Sequence, residues 1–331
     1  MTPPTRTSPA HLAAGLATIY VLWGTTYLGI RIGVETIPPF FLSGVRYTLA
    51  GLLLLGWIAL RGGLRDGWPT RRQWVAAALS GTSMILVGNG ALTWAEQTVP
   101  SGLAAIMYAT PLWLALLAWP VLGERIRPVT AFGLVVGFLG LIFLVGPSRL
   151  RAGALLPEIA VVVASLGWAV GAVLSKRLDL PRNPFQVAGM QMFCGGVATF
   201  AVSLISGDAA RFNPAAVSAR SEIAFLYLLL VGAVFAFGVF AWLVRSAPLA
   251  LVGTYGYVNP VVAVVLGAVL LGEAISLHEL VGGVIVLAGV ALIVSAQSTA
   301  AGANSAASLT EAADPTPEQA GQQVAGGARR R

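Results

Sequence analysis

The chain has 331 residues, of which 57% are hydrophobic and only 10% are charged. Soluble domains carry about 25% charged residues, so this composition excludes an ordinary globular protein and indicates a membrane protein. The net charge of +7 does not indicate a nucleic-acid partner, because the basic residues fall in short links between apolar runs. The single cysteine, Cys194, excludes an intrachain disulfide.

Ten apolar runs are long enough to cross a bilayer, which takes about 20 residues. They are 11–30, 39–60, 74–93, 99–121, 128–146, 155–175, 184–206, 221–244, 249–271 and 278–296. The first run is too long for the apolar part of a signal peptide, and we interpret it as an uncleaved helix. Pro39, Pro128 and Pro184 stand near helix starts, Asn183 is a candidate N-cap, and Ser276 begins a capping box.

A stretch of 38 residues occurs twice, at 108–145 and 257–294. The copies align without a gap and are identical at 11 of 38 positions. The informative identities are Tyr108/Tyr257, Pro111/Pro260, Gly123/Gly272 and Glu124/Glu273. With five helices in each half, the second half enters the membrane from the opposite side. We therefore predict an all-α, polytopic membrane protein with ten transmembrane helices in two inverted repeats, 11–146 and 155–296.

Basic residues predict the orientation of the chain. With a cytoplasmic N-terminus, 14 of the 20 basic residues lie in cytoplasmic segments, 5 lie in external links, and Arg46 lies inside a helix. This bias places both termini in the cytoplasm. Residues 1–10 form an N-terminal tail. Residues 297–331 are rich in small and polar residues and are predicted to form a disordered C-terminal tail.

Pro111 and Pro260 lie near the middle of the fourth and ninth runs and predict two matched helix breaks. A proline removes the hydrogen bond to the carbonyl four residues back and kinks a helix. Matched interruptions in inverted halves point to a binding site at the middle of the membrane. A packing kink without a ligand is the alternative.

Arg46 is the one formal charge well inside an apolar run. Because a charge there is costly, the side chain should face the bundle interior or water, where it can pair with a substrate carboxylate. It lies only about two turns from the helix start, so snorkelling, or bonding to backbone carbonyls, is an equally good interpretation.

Polar and aromatic residues mark the expected faces of a central cavity. Trp23 and Tyr27 are four residues apart and share a helix face, and Trp168 matches Trp23 at an offset of 145. The complete set of candidate binding residues is Trp23, Tyr27, Arg46, Asn89, Tyr108, Thr110, Trp168, Gln191, Tyr257 and Asn259. Glu124 and Glu273 close their helices and are predicted to cap them or bond to loops.

The sequence has no Cys/His cluster with metal spacing, no phosphate-binding loop and no loop-held Ser/His/Asp set. It therefore predicts no catalytic residue, no metal and no cofactor. None of its Asp or Glu residues lies in the middle of a run, so a carboxylate proton relay has no candidate.

Several stretches resemble the EamA-like branch of the drug/metabolite transporter superfamily. They are Trp23–Glu35, Pro38–Tyr47, Val87–Gly90, Val99–Ala105 and Tyr257–Gly267. The resemblance implies two inverted five-helix halves around a cavity, placement in a bacterial inner membrane, and secondary transport, often export of amino acids, metabolites or drugs. Ala274 follows Glu273 where Arg125 follows Glu124, so a role of that arginine does not extend to the second half.

We therefore expect a secondary active transporter that exports small organic solutes by alternating access. Its partners would be the solute and the lipid bilayer, with a homo-oligomer left open. A channel and a non-transporting membrane scaffold are the alternatives. A membrane enzyme is disfavoured because the sequence offers no cluster of acid, base or metal-binding residues.

Overall fold

The computed structural model of this chain describes residues 8–62, 68–99, 107–108, 110–145, 155–271 and 276–313. Within these ranges the secondary structure is helical, with no strand. The longer helices are α1 (Pro9–Gly33), α2 (Pro39–Leu60), α3 (Arg71–Ala95), α4 (Thr110–Leu122), α5 (Pro128–Val145), α6 (Leu155–Arg177), α7 (Pro184–Ile205), α8 (Ala219–Ser246), α9 (Leu249–Val252, continuing as Tyr255–Leu271) and α10 (Leu277–Ala313).

Eight of these helices are long and apolar enough to cross a membrane. The other two, α4 and α5, are shorter apolar helices. Much of the start of the fourth predicted run, residues 100–106, lies outside the described residues. The prediction of an all-α, multi-pass membrane protein is confirmed.

Proline and capping residues begin the helices at the predicted places. The Asn183 side chain accepts a hydrogen bond from the Phe185 backbone N–H at 3.0 Å, one residue after Pro184 begins α7. At α10 the Ser276 backbone N–H donates to Glu279 Oε2 at 2.9 Å, which completes the predicted capping box. These contacts satisfy N–H groups that have no partner within their own helix.

The last helix extends beyond the expected boundary. We predicted disorder for 297–331, but α10 continues as a helix to Ala313. Its added segment is rich in alanine, the strongest helix former, and extending an existing helix avoids the cost of nucleation. Residues 314–331 lie outside the described part of the chain.

Glycines allow two helix pairs to approach very closely, α2 with α7 and α5 with α10. A methyl group on Gly51 would lie 2.4 Å from the Phe193 backbone nitrogen, and one on Gly196 would lie 2.3 Å from that of Thr48. On the other pair, a methyl on Gly289 would lie 2.5 Å from the Gly137 nitrogen. Small residues at such positions let backbones touch, which is how helices associate without a hydrophobic driving force.

The helix contacts repeat when the two halves of the chain are exchanged. In the predicted repeats, α2 and α7 are counterparts, and so are α5 and α10; each of these helices packs against its own counterpart. The packing of α1 on α9 likewise has its equivalent in the packing of α6 on α4. Gly51 and Gly196, which both sit at the α2–α7 contact, are 145 positions apart.

Two helices contain a π-helical segment that the sequence did not predict. These segments are Ser83–Gly90 in α3 and Leu228–Phe235 in α8, each of eight residues. They too begin 145 positions apart. π-Helical turns are rare and occur frequently at functional sites. Both segments therefore indicate the space between α3 and α8 as a candidate functional site.

Candidate functional site

A cavity of about 60 Å³ lies between the first three helices, α6, α8 and α9. Its wall is formed by Trp23, Thr26, Tyr27, Ile30, Arg46, Tyr47, Asn89, Leu92, Tyr108, Trp168, Gly232, Tyr255 and Asn259. Sites for drug-sized ligands measure roughly 300–1,000 Å³, so this cavity is much smaller than a typical ligand site. Residues from both halves of the chain build the wall.

Aromatic rings form one side of the cavity. The ring of Trp23 meets that of Trp168 edge to face at 5.5 Å, and it lies 4.9 Å from Tyr255 and 5.0 Å from Phe240. The Trp23 indole N–H donates to the carbonyl of Gly232 at 3.2 Å, within the π-helical segment of α8. Edge-to-face aromatic pairs add about 0.5–1.5 kcal/mol each beyond their burial, so this cluster is a rigid surface.

Arg46 provides the charge of the cavity wall. Its side chain is 2% exposed, and its Nη2 donates to Asn89 Oδ1 at 2.8 Å. The guanidinium also lies 4.4 Å from the ring centre of Tyr47. Asn89 is held in turn by the Ser43 hydroxyl, which donates to the same Oδ1 at 3.3 Å. The guanidinium is thus oriented by neutral groups, and its Nε has no hydrogen-bond partner.

Further polar atoms meet near the same wall without forming good hydrogen bonds. The Tyr255 hydroxyl lies beside the Thr110 hydroxyl and the Trp168 indole nitrogen. None of these three buried atoms has a hydrogen bond of acceptable geometry. Because a buried polar group without a partner costs about 1–3 kcal/mol, such a group is explained when a ligand or water supplies the partner.

Asn259 joins α9 to α1 at the cavity. In the orientation that satisfies both its amide groups, its nitrogen donates to the carbonyls of Tyr255 at 3.0 Å and Tyr20 at 3.2 Å. The side chain is 2% exposed and immediately precedes Pro260, which lies inside the helix. The polar side chain thus lies next to the proline in α9.

The two ends of the bundle are distinguished by α8. Near its start, the Ser221 hydroxyl donates to the Ile32 carbonyl of α1 at 2.8 Å. Just past its other end, the Ala247 carbonyl accepts from Lys176 Nζ at 2.8 Å. A helix of 28 residues separates these contacts, a length of roughly 40 Å. We call them the Glu96 end and the Glu124 end after the carboxylate found at each.

Glu96 lies immediately after α3, and its Oε1 atom is buried without a hydrogen-bond partner. Burial raises the pKa of this carboxyl to about 8, although the positive charges of Arg31 and Arg46 act to lower it. Tyr27, a cavity residue, also lies close enough to interact electrostatically with the Glu96 carboxylate. A titratable carboxyl therefore stands beside the cavity, close to the guanidinium in its wall.

The helices at the Glu124 end are connected by a cluster that we call the clasp, formed by Glu124, Lys176, Ala247 and Leu249. Lys176 Nζ contacts Glu124 Oε1 at 2.5 Å and donates to the Ala247 carbonyl. Glu124 Oε2 accepts the Leu249 backbone N–H at 3.0 Å, which caps α9. The predicted capping role is therefore fulfilled on another helix. Glu273, the matching carboxylate, lies outside the described residues.

Seven of the ten candidate residues lie on the cavity wall: Trp23, Tyr27, Arg46, Asn89, Tyr108, Trp168 and Asn259. Thr110 is buried beside it. Tyr257 is directed away, and its hydroxyl donates to the Leu134 carbonyl of α5 at 2.9 Å. Gln191 lines a separate small cavity and donates to the hydroxyls of Ser80 and Ser175 at 2.8 and 2.6 Å. A helix that is apolar all round does not reveal which face points inward, so the sequence did not separate these two residues from the cavity wall.

The two predicted helix breaks differ in the structure. Pro111 is the second residue of α4, so its missing N–H falls where no bond is required. It packs on the second half, because a methyl on Gly256 would lie 2.9 Å from its Cδ. Pro260 does lie inside a helix, but α9 is interrupted earlier, at Gly253 and Thr254.

Sequence reasoning missed several residues of the wall. Tyr47 adjoins Arg46, and Tyr255 lies four residues before Asn259, so their spacing was an available signal. Gly232 contributes only a backbone carbonyl, which no side-chain pattern reveals.

The chain matches a known protein family. The model of the EamA-like transporter family matches residues 11–146 and again residues 155–295. The chain belongs to the EamA-like transporter family. The two matched ranges together cover most of the chain and include every residue of the cavity wall.

Individual relatives agree with this family. The chain is 38% identical over 279 residues to the uncharacterized inner membrane transporter YedA of Escherichia coli K12, covering 84% of this chain and 89% of that protein. It is 28% identical to a WAT1-related chloroplastic protein of Arabidopsis thaliana, over 83% of this chain and 67% of that one. A crystal structure with 21% identity superposes with a TM-score of 0.69 over 88% of this chain and 99% of the other, which shows a shared fold.

Proposed function

We propose that this EamA-like protein is a secondary active transporter that exports small organic solutes by alternating access. Its ten helices would form two inverted five-helix repeats, 11–146 and 155–296. It would lie in an inner membrane, like its relative YedA, an inner membrane transporter by name, with both termini in the cytoplasm. The basic residues at the Glu124 end support this orientation.

The observation that carries the proposal is a buried polar and aromatic cavity between the two halves, with the helices tied together at one end of the bundle. Arg46, Asn89 and Asn259 line this space, and the clasp connects the helices at the Glu124 end. Helix contacts at one end that can separate are what alternating access requires. A fixed pore would instead be lined continuously from end to end.

The inverted arrangement is supported by the exchange symmetry of the helix contacts. Helices related by the repeat pack against each other, and the π-helical segments begin at positions 83 and 228. In such proteins the halves rock against one another around a central site. The close backbone contacts at Gly51 and Gly196 would then act as the pivots between α2 and α7.

The test is counterflow in proteoliposomes that contain the purified protein. Preloading with an unlabelled solute should drive saturable uptake of the same labelled solute, across a panel of amino acids and of anionic, neutral and cationic organic compounds. Asn259→Ala should reduce this flux at least tenfold, because it removes the link between α1 and α9 at the cavity. Asn213→Ala, an exposed asparagine in a link, is the matched control and should transport normally.

Flux that does not saturate and shows no counterflow would identify a channel. Absence of any flux across the panel, with folded protein in the liposomes, would favour a membrane scaffold. Equal flux in wild type and Asn259→Ala would refute the assignment of the site.

A further inference from the structure

The cavity wall carries a positive charge that no hydrogen-bonded carboxylate balances among the described residues. Arg46 is the only residue of the wall with a formal charge, and neither carboxylate nor backbone carbonyl accepts from its guanidinium among the described residues. Its acceptor is the neutral amide oxygen of Asn89, and its Nε has none. A buried guanidinium is costly without a counter-charge, and a carboxylate fits its planar set of N–H donors.

The other unsatisfied groups at this wall are also hydrogen-bond donors. The Trp168 indole nitrogen can only donate, and the hydroxyls of Tyr255 and Thr110 are able to donate. The rest of the wall includes the aromatic residues Trp23, Tyr27, Tyr47 and Tyr108. A wall that combines a cation, further donors and aromatic rings is complementary to an anion that carries an apolar or aromatic part.

Resting on the proposed function, we propose that the transported solute is a small organic carboxylate, that Arg46 binds its carboxylate group, and that the anion binds with Glu96 in its neutral, protonated form. The wall and the solute then form a neutral pair beside a neutral acid. Where Glu96 is ionised before binding, one proton moves from the solvent to its carboxylate for each anion bound; where it is already protonated, no proton is taken up.

Glu96 is placed to act in this way by its neighbours. The charged and titratable groups that face it are Arg31 and Tyr27 from α1 and Arg46 from α2. Ionised Glu96 competes with a substrate carboxylate for the Arg46 charge, whereas neutral Glu96 does not. Its pKa of about 8 places this exchange just above neutral pH, with the acid form present below pH 8 and lost as the pH rises through it.

The experiment measures binding of benzoate to the purified full-length protein by calorimetry, with benzamide and benzylammonium as matched neutral and cationic probes. Benzoate should bind and the other two should bind at least tenfold more weakly. Arg46→Gln should weaken benzoate binding by about ten- to a hundredfold, the typical effect of losing bonds to a charged group. Arg46→Lys, which keeps the charge, should recover part of it.

The pH dependence tests Glu96 separately. Benzoate affinity should fall about tenfold between pH 7 and pH 9, because the neutral fraction of a group with a pKa near 8 falls from about 90% to about 10%. Glu96→Gln is neutral at every pH and should keep the high affinity at pH 9. This variant also serves if Arg46→Gln does not fold.

Tighter binding of benzylammonium or benzamide than of benzoate would overturn the proposal, as would an unchanged pH profile in Glu96→Gln. If the panel shows counterflow only for neutral or cationic solutes, the carboxylate site is refuted and the transporter stands. If benzoate binds as expected but no solute shows counterflow, the transporter is refuted and the anion site stands.

Discussion

Replacing Glu124 should release the Glu124 end of the bundle. Its carboxylate makes two contacts in the clasp, an ion pair with Lys176 and a cap on the Leu249 backbone N–H. Glu124→Ala removes both. Glu124→Gln keeps an oxygen for the Leu249 N–H but removes the charge that attracts Lys176, so the two variants separate the cap from the ion pair.

The magnitude follows from the environment of these contacts. Loss of a capping acceptor costs about 1 kcal/mol. The side chains of Lys176 and Glu124 are 24% and 23% exposed, so solvent screens their attraction in part. We assign the ion pair up to about 1 kcal/mol on this account. The total for Glu124→Ala is about 1–2 kcal/mol, with roughly half of it expected for Glu124→Gln.

Hydrogen exchange measured by mass spectrometry, on protein in lipid nanodiscs, reports this change locally. Each 1.4 kcal/mol corresponds to a factor of ten, so the amides at the start of α9 should exchange about 5–30 times faster in Glu124→Ala. Amides in the middle of α2 should be unaffected. Glu222→Ala is the matched control, because this glutamate is exposed in the first turn of α8 and makes no contact with the clasp.

Unchanged exchange at the start of α9 in Glu124→Ala would refute the clasp as a stabilising contact. An equal acceleration in Glu222→Ala would show that the effect comes from net charge rather than from the clasp. Faster exchange throughout the protein would mean that the variant is globally destabilised, which the local argument does not allow.

Three further substitutions test the packing. Gly51→Val should lower the melting temperature by several degrees, because its side chain collides with the Phe193 backbone, which cannot move aside. Gly56→Ala, on the same helix with no atom within 4 Å of the new methyl, should preserve or slightly raise it. Tyr257→Phe should cost about 1–2 kcal/mol of stability by leaving the Leu134 carbonyl without this donor. It should leave solute affinity unchanged in a binding assay, since the hydroxyl points away from the cavity.

Much of the fold follows from local sequence signals. The run predicted at 39–60 coincides with α2, and Pro184 begins α7 where the sequence placed it. These boundaries were predictable because proline and capping residues satisfy a local rule that packing does not override. The prediction of a disordered tail overlooked an equally local rule. Alanine has the highest helix propensity, and the alanine-rich segment after residue 296 extends α10 to Ala313.

The cavity was only partly predictable for a different reason. Polar residues deep in apolar runs, such as Arg46 and Asn259, must face the interior, and they do. Tyrosines carry no such requirement, because one hydroxyl is satisfied by any nearby carbonyl. Tyr257 therefore bonds to Leu134 while Tyr255, two positions earlier, reaches the cavity. The rotation that decides between them is set by neighbouring helices.

Glu96 shows the limit of reading position along a run. It lies at the end of its helix, and because no Asp or Glu falls in the middle of a run, the sequence offered no candidate for a proton relay. The packing of α1 and α2 around it buries one oxygen and brings two guanidinium groups near. Its proximity to Arg31 and Arg46 is a tertiary contact, which a local pattern does not reveal.

The paired π-helical segments make the two halves unequal at the site. A π-helical turn disrupts the regular pattern of backbone hydrogen bonds, and the disrupted turn has a different role in each half. In α3 the segment carries Asn89, whose side chain accepts a hydrogen bond from Arg46. In α8 it carries Gly232, whose backbone carbonyl accepts a hydrogen bond from the Trp23 indole. The two segments thus have different chemistries. If Arg46 binds the carboxylate of the solute as proposed, the polar group of the solute lies on the α3 side and its apolar body on the α8 side.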